Sequence, residues 1–171
     1  MPICIYMLAH PALLSRTSHK IGMKAISYYF HELMENITAL GSIFVHLALA
    51  AAAYALGDEL FVTLLKGLLL IYVVNVPLKL LLFRERPRRM QHRTLWERFE
   101  AASFPSVHAV RVVFLALALG FRFGNPLFWL LVLGIAVAVT YSRIHLQKHY
   151  WTDTAAGIAI GAVIYYAVAS L

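Results

Sequence analysis

At 171 residues, 61% hydrophobic and only 13% charged, the chain has the length of one domain but is too apolar for a soluble globule, and its mean hydropathy of +0.74 reads as an integral membrane protein. The net charge of +7 raises nucleic acid as a partner, yet six arginines fall within 84 to 98, beside a hydrophobic run and mixed with Glu85, Glu97 and Glu100. Anionic lipid headgroups fit that pattern better than nucleic acid, and the single Cys4 excludes an intramolecular disulfide.

Taken in chain order, residues 1 to 36 come first. MPICIYMLAHPALL is apolar but short and interrupted by Pro11, and IGMKAISYYFHELM mixes Lys24, His31 and Glu32 with aromatics. Both are expected to be helices lying in the interface, with a sixth span as the alternative. No basic region precedes the apolar run and no small-residue cleavage site follows it, so a secretory signal is not expected. Five spans follow at 37 to 56, 59 to 83, 106 to 121, 126 to 142 and 154 to 171, each near the roughly 20 residues that cross a bilayer. Short connectors at Gly57 and Asp58 and at Gly124 and Asn125 imply tight hairpins, and 84 to 104 is the one long polar connection. The expected fold is an all-α polytopic membrane bundle of five to six transmembrane helices, one domain over 1 to 171 with its helical core at 37 to 171.

Alternation of the spans brings KLLLFRERP (79 to 87), PSVH (105 to 108) and SRIHLQKHYWTD (142 to 153) to one membrane face. Together they offer the cations Lys79, Arg86 and Arg143, the histidines His108 and His149, and the carboxylate of Asp153. Arginine forks and a lysine point charge suit a phosphate approached from several sides. Each cation taken alone reads as an interfacial anchor, since Lys and Arg snorkel at helix ends. His149 and Asp153 stand four apart, on one helical face, so the carboxylate can accept from one imidazole nitrogen and leave the other free to attack. The same spacing fits a helix-start cap. In PSVH, Pro105 and Ser106 suit a helix start whose amides point at an anion, and His108 in the first turn can protonate a leaving oxygen or serve as an ordinary interfacial polar residue.

The pattern K-x6-R-P, P-S-x-H and S-R-x5-H-x3-D resembles the signature of the type 2 phosphatidic acid phosphatases, the membrane branch of the superfamily that contains vanadium haloperoxidases. All three parts occur in order, over a helical core of about 37 to 171. The resemblance implies that His149 attacks phosphorus to form a phosphohistidine, that Asp153 orients it, and that His108 protonates the leaving oxygen and later activates water. Lys79, Arg86, Ser106, Arg143 and the Val107 backbone amide would hold the phosphoryl oxygens. Relatives usually carry glycine at the position of Val107. Valine tolerates helical φ and ψ, so its amide still faces an anion if it opens a helix. No metal and no cofactor are expected, because fixed cations take the role of Mg²⁺ and one carboxylate offers it too few ligands.

Other polar residues carry less. Arg111 is one turn beyond His108 and is expected to make a structural pair or to snorkel, with substrate contact as the alternative. His145 has no matching role, His46 and Lys66 suit an interhelical hydrogen bond or a snorkel, and Asn75 can orient Lys79. The spacing of Gly157 and Gly161 invites close helix packing, within the monomer or between subunits. The positive-inside tendency would put the motifs in the cytoplasm. The resemblance instead implies the outer, periplasmic face of a bacterial cytoplasmic membrane.

The short loop between the first two motifs resembles that of the small bacterial lipid phosphatases of the family, which implies lipid A 1-phosphate, phosphatidylglycerophosphate, undecaprenyl pyrophosphate or phosphatidic acid as substrate, and the arginine-rich 84 to 104 segment tilts the reading toward the first. A non-catalytic anionic-lipid-binding protein would keep the cations but not need the His149 and Asp153 pair. A transporter would spread its polar residues through the membrane's depth.

Overall fold

Residues 26–88 and 93–171 are described by the structure, a computed structural model. They form seven helices: α1 (Ile26–Ala39), α2 (Ile43–Ala55), α3 (Leu60–Leu81), α4 (Leu95–Ala101), α5 (Val107–Phe123), α6 (Pro126–His145) and α7 (Trp151–Ala169). Contacts divide the chain into Met1–Leu33 and Met34–Leu171. In the first unit the described residues are helical, with Ile26, Tyr28, Tyr29 and Leu33 exposed. The expected interfacial helix over MPICIYMLAHPALL, with Cys4, lies outside the described residues.

By length and composition α3, α6 and α7 can each cross a membrane, and α1 with α2 supplies a fourth if the pair is one broken span. α5 has 17 residues and joins the same two ends of the bundle: the Ser106 amide at its start donates to the Asp153 carbonyl at 3.1 Å, and Arg122 in its last turn pairs with Asp58. It is the most enclosed helix, with ten buried residues between α3, α6 and α7. That enclosure is how an apolar bundle tolerates Arg111 on it.

The expected span at 37 to 56 is broken at residues 40–42. The cause is local: the Ser42 hydroxyl accepts from the Val45 amide at 3.4 Å and so caps a new helix, α2. The two expected hairpins are present. Gly57 and Gly124 both adopt φ of 65°, the left-handed conformation that ends a helix, and Asn125 caps α6 ahead of Pro126 at its first position.

Lipid is as apolar as a leucine core, so close packing and polar links, not water exclusion, hold such helices together. Phe114 is fully buried against Leu64, Ile71, Val110 and Ile164. The Gly157 and Gly161 spacing works inside the monomer: a Cβ on Gly161 would come within 2.5 Å of the Val110 carbonyl, and one on Gly157 within 2.7 Å of that of Ser106. α5 and α7 therefore touch backbone to backbone, which fixes Ser106 relative to Asp153. His46 makes the expected interhelical link, with Nε2 at 3.0 Å from the Leu64 carbonyl.

Candidate active site

Four helix ends converge where the motifs meet: the C-termini of α3 and α6 and the N-termini of α5 and α7. Loop 82–88 is pinned to the segment after α4 by a bridge between Glu85 and Ala102 and by the Ser103 amide donating to the Arg84 carbonyl at 2.7 Å. α4 itself begins in a capping box, Thr94 with Glu97. At its other end Lys79 Nζ donates to the carbonyls of Ala102 (2.7 Å) and Phe99 (3.3 Å), a cation on a helix C-terminus. An ammonium has three donors, so one remains for a ligand.

These ends enclose a cavity of about 850 Å³. Lys79, Arg86, Val107, His108, Arg143 and His149 line it, six of the eight residues singled out from the sequence. Ser106 and Asp153 are fully buried beside them. The Ser106 hydroxyl has no hydrogen-bond partner among the described residues, and Val107 opens α5 with a helical backbone, where a first-turn amide has no carbonyl of its own helix to bind.

His149 is 3% exposed, and its Nδ1 lies 2.6 Å from the Ser103 carbonyl. A carbonyl only accepts, so Nδ1 carries the hydrogen and Nε2 keeps its lone pair. Nε2 faces Arg143 Nη2 at 3.5 Å, and Arg143 is braced from behind by Nη1 donating to Thr38 Oγ1 at 2.9 Å. Burial, then the charges of Arg143, Arg86 and Lys79, hold the His149 imidazole well below its usual pKa. It is therefore neutral across the physiological range. Burial also lowers Arg86 and Lys148, the latter further through Arg143.

The expected hydrogen bond between His149 and Asp153 is not made here. Asp153 Oδ2 stands 4.0 Å from Nδ1, whose one hydrogen goes to the Ser103 carbonyl; the carboxylate instead accepts from Arg84 Nη1 through Oδ1 and from the Tyr150 amide through Oδ2, both at 2.9 Å. The capping geometry weighed from the sequence is thus present, and the carboxylate stands beside His149 without a hydrogen bond to it. Asn75 likewise does not reach Lys79; its amide donates to the Ile71 carbonyl at 2.7 Å.

Sequence reasoning missed Ser103, Arg84, Thr38 and the turn at Gln147. That turn carries a left-handed φ of 53° on a non-glycine residue, with the Lys148 amide returning to the Arg143 carbonyl at 3.1 Å. It is the helix-ending loop that swings His149 back over Arg143. No cluster of three His, Cys, Asp or Glu side chains able to hold a metal occurs among the described residues.

Comparison with known proteins adds relatives to this geometry. The PAP2 superfamily model matches residues 60–171. Decaprenylphosphoryl-5-phosphoribose phosphatase of Mycobacterium tuberculosis, in two strains, is 35% identical over 98 residues, 57% of this chain and 53% of the relative. The chain thus spans about half the length of the curated relatives it matches. Among solved structures, Aquifex aeolicus LpxE superposes with a TM-score of 0.72 at 20% identity, covering 84% of this chain and 87% of that one. The first transmembrane PAP2 type phosphatidylglycerolphosphate phosphatase from Bacillus subtilis gives 0.60 at 23% identity, covering 96% and 88%. At those identities the likeness is one of fold.

Proposed function

The chain belongs to the PAP2 superfamily, and we propose that it is a membrane lipid phosphatase that removes a terminal phosphate, as a monoester or a pyrophosphate, through a phosphohistidine. The observation that carries this reading is the His149 imidazole: neutral, its Nδ1 engaged by a carbonyl, its Nε2 keeping its lone pair 3.5 Å from Arg143 Nη2 at the wall of a cationic cavity. A protein that only bound anionic lipid would need the cations but not a histidine so prepared.

In the first step Nε2 forms a bond to phosphorus as the bond to the leaving oxygen breaks, and His108 supplies the proton that oxygen takes. In the second, His108 receives a proton from water, which attacks phosphorus and releases His149. Lys79, Arg86, Arg143, the Ser106 hydroxyl and the Val107 amide bind the equatorial oxygens as charge develops there. Asp153 stabilises the cationic imidazole ring without taking its proton.

Lipid A 1-phosphate, phosphatidylglycerophosphate, undecaprenyl pyrophosphate and phosphatidic acid are the substrates to compare. The likeness to LpxE and to a phosphatidylglycerolphosphate phosphatase supports a lipid headgroup. The site uses fixed cations in place of Mg²⁺, so purified enzyme is expected to keep its activity in EDTA; loss restored by Mg²⁺ overturns that. Brief exposure to radiolabelled substrate followed by denaturation should trap an acid-labile phosphoenzyme absent from His149→Ala. A labelled His149→Ala protein would remove His149 as nucleophile.

The cavity opens toward the outer face of a bacterial cytoplasmic membrane in this reading. In a Cys4→Ser background, Thr94→Cys should react with an impermeant thiol reagent before the inner membrane is breached. Labelling only afterwards reverses the orientation.

A further inference from the structure

The cavity holds more positive charge than one phosphate uses. Among the described residues six cationic side chains line it, Lys79, Arg86, Arg88, Arg111, Arg143 and Lys148, against one carboxylate, Glu100. A phosphate monoester carries about −1.5 to −2, which the three charges of Lys79, Arg86 and Arg143 already exceed.

Of the cations left over, Arg111 is the one the fold treats most expensively. It lies on α5, 3% exposed, and its hydrogen bonds go to neutral acceptors, the Gly41 carbonyl and the Tyr72 hydroxyl (3.0 Å). Its Nε–H is buried with no hydrogen-bond partner among the described residues. A guanidinium has five N–H donors and a full charge, and neutral acceptors do not offset the loss of water around it. Arg111 follows His108 by three residues on the same face of α5, about 4.5 Å further along the axis, and both line the cavity. α5 runs from the motif end inward, so Arg111 lies on the bilayer side of the residue that protonates the leaving oxygen.

We propose that Arg111 and the Tyr72 hydroxyl form a second anion subsite, which receives a phosphoryl group on the leaving side of the bond that is cleaved. This deepens the lipid phosphatase reading and rests on it. The substrate class is then a lipid with two phosphoryl groups in series between its end and its tails. In a diphosphate the P–N bond to His149 forms, the bridging P–O bond breaks, and the departing lipid phosphate takes the His108 proton while Arg111 balances its charge. In a headgroup whose second phosphate is a diester, the leaving group is an alcohol and Arg111 holds the diester. Lipid A cleaved at its 1-phosphate would place a sugar at this subsite.

The test compares kcat/KM for a prenyl diphosphate with that for the monophosphate of the same tail, and for phosphatidylglycerophosphate with phosphatidic acid, in mixed micelles. The enzyme should favour the doubly phosphorylated member of at least one pair by about 30-fold, the scale of a charge-assisted contact. The pair showing the preference identifies anhydride or diester. Arg111→Gln should bring that ratio to within about 3-fold of unity, Arg111→Lys should keep most of it, and Tyr72→Phe should reduce it by about 3-fold.

A ratio unchanged in Arg111→Gln and Tyr72→Phe, with both substrates slowed alike, makes Arg111 a structural brace and overturns the subsite. Failure of the wild-type enzyme to hydrolyse any arm sinks the phosphatase reading instead. The subsite is then judged by binding of the same prenyl pair to His149→Ala protein, where an equal affinity for both overturns it.

Discussion

The two ends of the bundle each carry an arginine–aspartate pair, and the better-formed pair is at the end without the cavity. Arg122 grips Asp58 side-on, Nε to Oδ1 at 3.0 Å and Nη2 to Oδ2 at 2.8 Å, with side chains 50% and 20% exposed. Arg84 reaches Asp153 through one nitrogen, at 2.9 Å, and the carboxylate is fully buried. The first pair ties the α2–α3 turn to the end of α5 and faces water. The second holds a charge beside the neutral His149. Contact geometry ranks how well a pair is made; burial ranks what its loss does to everything around it.

The comparison breaks most sharply at His149. If the buried end is catalytic, His149→Ala should lower kcat by about ten-thousand-fold with an unchanged elution profile in detergent, because the nucleophile cannot be replaced by water without the rest of the mechanism. Residual turnover above about 1% would locate the chemistry elsewhere. The pH profile sharpens the same point. Burial and three cations depress the His149 pKa, so the attacking neutral form persists as pH falls below 6.5, and the acid limb of kcat/KM should lie well under that value. By linkage, a depressed histidine contributes stability above its unfolded pKa and loses it as pH falls through the folded one. Thermal stability should therefore begin to fall as pH drops below the unfolded value of about 6.5, while activity persists until pH reaches the lower folded value.

Asp153 comes next in size. Asp153→Asn should cost about 100-fold in kcat, since it removes the negative charge 4.0 Å from Nδ1. Arg84→Ala should cost about 10-fold in kcat with KM little moved, because the Tyr150 amide still holds the other oxygen. Arg84→Lys should recover part of the loss. An equal loss in Arg84→Ala and Arg84→Lys would assign the effect to the stacking of the guanidinium on the Tyr150 ring, 4.0 Å from its centroid, rather than to charge.

What the sequence disclosed and what it withheld divide along a physical line. Side-chain chemistry at fixed spacing was legible: the three motifs, the two hairpins at Gly57 and Gly124, and the Gly157 and Gly161 contact all follow from residue type and period. Backbone acceptors were not. Nothing in the letters marks the Ser103 carbonyl as the partner of His149, because every residue has a carbonyl and only the fold selects one. Gln147 was hidden for a related reason, since it takes the left-handed position where glycine is the usual signal. The break at residues 40–42 did have a signal, Gly41 followed by Ser42 as a helix cap, but the hydropathy of 37 to 56 outweighed it. Thr38 and Gly41, which brace Arg143 and Arg111, sit at that break.

The smallest effect belongs to the pair with the best geometry. Arg122 holds the Asp58 carboxyl below its usual pKa, first by the hydrogen bond itself, so the pair contributes above that usual range and is lost only as pH falls through the depressed value. Both side chains face solvent, where salt screens the attraction and long side chains give up rotamer freedom to make it. Asp58→Asn should lower Tm by no more than about 2 °C at low salt and by less at 0.5 M NaCl, with kcat/KM unchanged. A fall in kcat/KM would show that the closed end of the bundle governs the spacing of α3 and α5 at the cavity. The two pairs would then be one device joined through α5, and the contrast between a structural end and a catalytic end would have to be given up.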